Sequence, residues 1–187
     1  MLRSLALASL LACGASAVQA ADTYAIDPVH AFATFKVGHL GVSNSWGRFN
    51  KIDGTITWDA DLAKSAITVN VLIDSVDTDN DKRDQHLKSP DYFNAKQFPT
   101  ATFTSTSWKA AGDKAYEVTG NFTLCGVTKP LTVPVVLVGQ GDTPMQDTRV
   151  GFDAVIAFKR SDFGMNQKLA FVGDDVTLYV SIEGIKK

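Results

Sequence analysis

Three groups of residues have types and spacings that can do chemistry. His39 closes an alternating apolar run, Ala31, Ala33, Phe35 and Val37, and falls on its face. A histidine at the end of an apolar face can hydrogen-bond the polar head of a ligand whose tail fills the interior. It can equally be an interior histidine bonded to a neighbouring strand. His30 falls on the opposite face. The second group is Arg83-Asp84-Gln85-His86-Leu87. On a helix Arg83, His86 and Leu87 share one side, so Leu87 can pack inward while Arg83 meets a phosphate or oxygenated head group. The structural alternative for Arg83 is a bond to Asp77, Asp84 or a loop carbonyl. The third group, Asp77-Thr78-Asp79-Asn80-Asp81, opens like a calcium loop. Lys82 then stands where that loop needs glycine, and Lys88 where it needs glutamate. Helix capping is the better account.

The rest of the chain carries no catalytic signature. There is no G-x-S-x-G elbow and no phosphate-cradling glycine loop. Three histidines without close spacing make a zinc site improbable. Glu117 and Glu183 fall on outward strand faces, and Asp174-Asp175 reads as a solvated loop. Cys125 has no histidine near it in sequence, and the simple reading is a buried, inert thiol. Neither a metal nor a cofactor is expected.

The elements that must position these residues are strands. Apolar alternation marks eight of them: Ala31–His39, Lys51–Trp58, Ile67–Ile73, Ala101–Ser105, Tyr116–Leu124, Leu131–Leu137, Phe152–Phe158 and Val176–Ile182. Eight half-polar strands without helices between them predict an antiparallel sheet, and eight is a number that closes into a barrel around side chains or one small ligand. The fold expected is all-β, an eight-stranded antiparallel barrel. A short helix over Asp79–Ser89, stopped by Pro90, falls between the third and fourth strands. Pro134 must sit at an edge or bulge, and the alternation running through Asp53-Gly54 predicts a bulge there.

Composition narrows the class. Eighteen Lys and Arg against 20 Asp and Glu give a net charge of −2, which excludes the basic excess of a nucleic-acid binder. The 45% apolar content excludes an acidic disordered chain. Arg3, the apolar stretch Leu5–Ala17 and the small-residue site Val18-Gln19-Ala20 predict a cleaved secretory leader over 1–20 and one domain over 21–187. Two other readings of the leader are a retained amphipathic anchor and lipoprotein processing at Cys13.

In order along the chain come Tyr24-Ala25-Ile26-Asp27, His30-Ala31-Phe32, Val37-Gly38-His39-Leu40, Gly47-Arg48-Phe49, Asp53-Gly54, Asp77-Thr78, Arg83-Asp84-Gln85-His86-Leu87, Phe98-Pro99, Phe103, Leu124-Cys125-Gly126-Val127-Thr128-Lys129-Pro130, Arg160-Ser161-Asp162-Phe163-Gly164 and Val176-Thr177-Leu178. This series resembles the YceI-like family from about residue 22 to the C-terminus. The resemblance implies an extended lipocalin-like barrel in a periplasmic or secreted protein. It also implies a long polyisoprenoid, such as an isoprenoid quinone or its precursor, held inside, and a homodimer.

The ligand-binding residues expected are Phe35, Val37, His39, Trp46, Ile56, Val71, Arg83, Leu87, Phe103, Phe122, Val135, Phe152 and Leu178. Small residues among them, Ala31, Ala33, Gly54, Ala101, Gly120 and Ala154, would leave room for a thin apolar chain. The alternative is that Phe and Trp rings fill that space. On the outside Phe32, Leu72, Val136, Val138 and Tyr179 suggest a protein contact, and transient contact with a membrane surface is a further expectation. Two competing functions are an enzyme acting on a prenyl lipid, with His39 and Arg83 as its polar groups, and a haem or stress-related scavenger with His39 as axial ligand.

Overall fold

The computed structural model describes residues 21–187; the expected leader, 1–20, lies outside the described residues. The strands are β1 (Asp22–His39), β2 (Ser43–Phe49), β3 (Ile52–Trp58), β4 (Ala66–Leu72), β5 (Val76–Asp77), β6 (Thr100–Gly112), β7 (Ala115–Leu124), β8 (Val127–Asp142), β9 (Thr148–Lys159) and β10 (Val172–Lys186). They form one sheet in the order β10-β9-β8-β7-β6-β4-β3-β1-β2-β5, closed by pairing of β10 with β1. Every pairing is antiparallel.

The barrel wall nonetheless has eight staves. β2 pairs with β1 along Ala33–His39, and β3 pairs with it along Asp22–Ala25. β4 pairs with β3, and β5 with β2. β2 and β3 therefore form one stave with a short break, and β4 and β5 another. The expected eight-stranded barrel forms, with a first strand longer than its alternation and with β2 unforeseen. Ser43–Phe49 is mostly polar, and a register shift between Ile26 and Ala31 interrupts the pattern in β1.

Two local expectations at special residues fare differently. No bulge occurs at Asp53-Gly54, because β3 and β4 pair without a break from Ile52↔Val71 to Thr57↔Ala66. Glycine is required there for another reason: φ is 150°, and a Cβ would stand 2.0 Å from the Thr68 carbonyl oxygen. Pro134 does mark an edge. The β8–β9 ladder runs from Val135↔Ala154 toward Asp142↔Thr148, so Val127–Pro134 has ladder partners only on β7.

The helix α1 (Asp81–Lys88) starts later than its acidic residues suggested. Asn80 caps it by accepting from the Arg83 amide at 2.9 Å, and Asp79 precedes the cap at a φ of 58°. Asp84, buried, accepts from the Thr78 amide at 3.0 Å and ties the helix to the end of β5.

The two ends of the barrel are built differently. At the lower end Trp58 lies 5.6 Å from Trp108, 5.3 Å from Tyr116 and 5.2 Å from Phe152, ring to ring. The Trp58 indole donates to Gln140 and the Trp108 indole to Ser105, so both polar edges are satisfied. This cluster, with Ile56 and Val118 fully buried in it, is a plug. At the upper end stand the β1–β2 hairpin, α1, and the segment 160–171 between β9 and β10. Among the described residues no helix is long and apolar enough to cross a membrane.

Candidate functional site

Above the plug the barrel is hollow. A lower chamber of about 90 Å³ and an upper one of about 100 Å³ share five wall residues, Ala33, Val71, Ala101, Phe122 and Leu178, and so stand next to each other as the two chambers of an apolar channel. The lower chamber rests on Trp108 and Phe152 and is walled by Val69, Phe103, Val135 and Ile156 among others. The upper is walled by Phe35, Val37, Phe49, Leu87, Phe93 and Val176, with Tyr92, Arg160 and Met165 beside them. From Trp108 to Ala101, along the flank of the lower chamber, the path of β6 is roughly 23 Å, at about 3.3 Å per residue. A cavity with such apolar walls excludes water rather than holding it.

Small residues keep it open. Ala33 and Ala101 stand where the chambers join. Gly47 and Gly120 do the same work less visibly. A Cβ on Gly47 would lie 2.3 Å from Phe35 Cζ, and one on Gly120 would lie 2.5 Å from Phe103 Cζ. The far edge of each ring therefore takes the place that a Cβ would occupy on the neighbouring strand, Phe35 at Gly47 and Phe103 at Gly120.

Nine of the expected ligand-binding residues line this channel: Phe35, Val37, Val71, Leu87, Phe103, Phe122, Val135, Phe152 and Leu178. The other four do not stand on its walls. Ile56 is fully buried, but in the plug, below the cavity. Trp46 is on the outside, half exposed, stacked on Tyr179 at 5.8 Å with Lys36 over its ring. His39 ends β1 opposite Ser43 and Val172, off the cavity walls. Arg83 donates through Nε to Thr78 Oγ1 at 2.7 Å and through Nη2 to the Thr78 carbonyl, so the structural alternative of a loop carbonyl holds, with the Thr78 hydroxyl as a second partner.

The charged residue at the upper chamber is Arg160. It is buried, and it donates to the carbonyls of Gly173 at 2.8 Å, Met165 at 2.7 Å, Gln167 at 2.9 Å and Val172 at 2.8 Å. Its guanidinium also lies 6.0 Å over the Tyr92 ring. Burial lowers its pKa, against the pull of Tyr92 and Asp174. Arg160 thus holds the 160–173 segment in place and puts a positive charge at the upper chamber. The motif around it was visible in the sequence; its burial was not.

Other reactive groups are already engaged. Cys125 is half-buried, and burial pushes its thiol up to about 11, so it is protonated and a poor nucleophile at neutral pH. Asp27, His30 and Glu183 come together as metal ligands would. Arg149 sits among them instead, donating to Asp27 at 3.0 Å and to Glu183, while His30 meets Asp27 at 2.8 Å. The protein's own cation fills that place. Asp77 of the calcium-like run accepts from Asn50, Arg48 and the Asp79 amide. Asp174 and Asp175 lie at the start of β10 rather than in a loop, both within reach of Lys159.

Comparison with known proteins agrees with the barrel. The sequence model of the YceI-like domain matches residues 24–184. A UPF0312 protein of Pseudomonas aeruginosa is 46% identical over 193 aligned residues, spanning 100% of this chain and 97% of the relative. The crystal structure of Burkholderia cenocepacia BcnA superposes with a TM-score of 0.77 at 25% identity, over 84% of this chain and 98% of the other. A Saccharophagus degradans domain, described as polyisoprenoid binding and implicated in plant cell wall breakdown, shares the fold with a TM-score of 0.69. It is 16% identical, over 88% of this chain and 98% of that one.

Proposed function

Because the chain belongs to the YceI-like family, we propose that it is a periplasmic lipid-binding protein whose channel holds a long polyisoprenoid, an isoprenoid quinone or its precursor, for transport, storage or protection. The observation that carries this reading is the apolar channel itself, walled by aliphatic and aromatic side chains and closed at one end. Each methylene removed from water contributes about 0.8 kcal/mol, so a prenyl chain gains steadily as it threads toward Trp108. A polar head would then sit at the upper chamber, beside Arg160 and Tyr92. The Saccharophagus degradans domain, described as polyisoprenoid binding, supports the ligand class through the shared fold. The leader expected over 1–20 supports the compartment, and two such chains pair as a homodimer.

Binding without covalent chemistry fits the walls best. His39 and Arg83, the polar groups an enzyme or a haem carrier would have used, stand off the channel, and Arg160 is engaged by four carbonyls. The test is organic extraction of protein purified from its native compartment, followed by mass spectrometry. A prenyl lipid in near-stoichiometric amount is expected. Protein that yields none, and takes up none when mixed with an isoprenoid quinone, overturns the reading.

A further inference from the structure

Four large apolar side chains stand exposed at the upper end of the barrel, on two adjacent loops. Leu40 is 52% exposed and Val42 83%, on the β1–β2 hairpin; Leu169 is 42% and Phe171 58%, on the loop leading into β10. The loops are fixed to each other. The Leu40 amide donates to the Phe171 carbonyl at 2.7 Å. Just below, the backbones of Gly38 and Gly173 pass so closely that a Cβ on Gly173 would lie 3.4 Å from Gly38 Cα. Each tip is tightly turned, with Leu40, Gly41 and Lys168 all at positive φ and the Val42 amide bonded back to His39. The result is a stiff, convex, apolar projection.

We propose that this projection inserts into a lipid bilayer and sets the mouth of the channel against it. The inference rests on the reading of the channel as a lipid carrier and adds the surface through which that lipid is exchanged. Three observations choose a bilayer as the occupant. First, the projection belongs to the end of the barrel opposite the aromatic plug, and its base residues Val37 and Val172 line the upper chamber. A water-insoluble chain leaving by that end passes beside it. Second, neither Gly38–Trp46 nor Gly164–Gly173 contains an acidic residue, and Lys168 lies among the apolar tips, a composition suited to an anionic interface. The next acid, Asp174, is held by Ser161 and Lys159. Third, two narrow tips do not offer the broad area, about 800 Å² per partner, that a stable protein contact needs.

Flotation with vesicles of phosphatidylethanolamine and phosphatidylglycerol tests this, comparing the whole protein with Leu40→Ser/Val42→Ser/Leu169→Ser/Phe171→Ser. The wild type is expected to float, and the variant at least tenfold less, with an unchanged melting temperature and the same extractable lipid. Should the quadruple variant not fold, Val42→Ser/Phe171→Ser, at the two most exposed positions, carries the comparison. A wild type that stays with the aqueous phase overturns the proposal. So does a variant that floats equally well, or a folded variant whose only change is its mass in solution, which would assign the tips to a second copy. Protein that floats but contains no prenyl lipid and takes up none supports the projection while ending the carrier reading. Protein that contains the lipid but does not float ends the projection alone.

Discussion

Asp77 accepts from the Asp79 amide at 3.0 Å, from Asn50 at 2.9 Å and from Arg48 at 2.9 and 3.2 Å. These bonds, the Asp79 amide foremost, hold its carboxyl at about 2, against an ordinary 3.8. Asp27 is lowered first by its bond from His30, Asp147 by Arg149 and Asp174 by the Ser161 amide. A carboxylate whose pKa falls on folding stabilises the folded state above its unfolded pKa, and that contribution disappears as pH drops through the folded value. The barrel should therefore keep its stability down to about pH 4 and lose it progressively toward pH 2. Asp77→Asn should melt lower than wild type at neutral pH and fall less steeply across that interval, because one of the titrating groups is gone. Melting temperatures at about pH 6, 4 and 2.5 read both effects. An Asp77→Asn protein with the same acid slope as wild type would remove Asp77 from the account.

At the scale of elements, the meeting point of the chambers decides whether the barrel is a container. Ala33 on β1 and Ala101 on β6 are buried, line both chambers and face the channel. Ala101→Phe puts a ring into that space. Filling a void commonly stabilises by about 0.5–2 kcal/mol where the ring fits, and overpacking costs about 1–3 kcal/mol where it does not. The prediction is a folded protein of equal or greater stability whose extractable prenyl lipid falls at least tenfold; full lipid content with the ring in place would mean that the chain lies elsewhere. The strands that form this wall were readable wherever apolar and polar residues alternate, as in β4, β7 and β10. β2 was not, since Ser43–Phe49 owes its place to pairing with β1 rather than to a pattern of its own. The site was readable by half for a related reason. Alternation says whether a side chain points inward, but it does not say at what height. Ile56 and Phe152 both point inward; only the register, Ile56 opposite Tyr24 and Ile67, places Ile56 among the plug residues. Arg160 escaped notice because charge in a sequence suggests a surface, whereas its four carbonyl partners come from a loop whose shape the sequence does not reveal.

On the scale of the whole molecule, one outer face of the barrel is left without cover. Phe32 on β1, Tyr179 on β10, Val155 on β9 and Val136 on β8 point outward and are 56%, 37%, 50% and 49% exposed. The register makes them neighbours: Val155 is opposite Tyr179, Tyr179 is opposite Thr34, and Phe32 is opposite Ser181. Leu72, expected in the same set, is half-buried on another stave and does not contribute. A broad sheet face with polar residues between apolar ones can meet its own copy about a two-fold axis, each patch serving both sides of the contact. Burying one such side chain fully is worth about 1.5–3 kcal/mol, so a few of them suffice once the association cost is met. Light scattering of the purified protein should give twice the mass of one chain. Phe32→Glu/Val155→Glu should give one chain, with the melting temperature barely changed and the bound lipid retained, because neither residue lines the channel. A wild type with the mass of one chain at micromolar concentration would leave this face to a different partner. A double variant that remains two chains would move the contact to another part of the barrel.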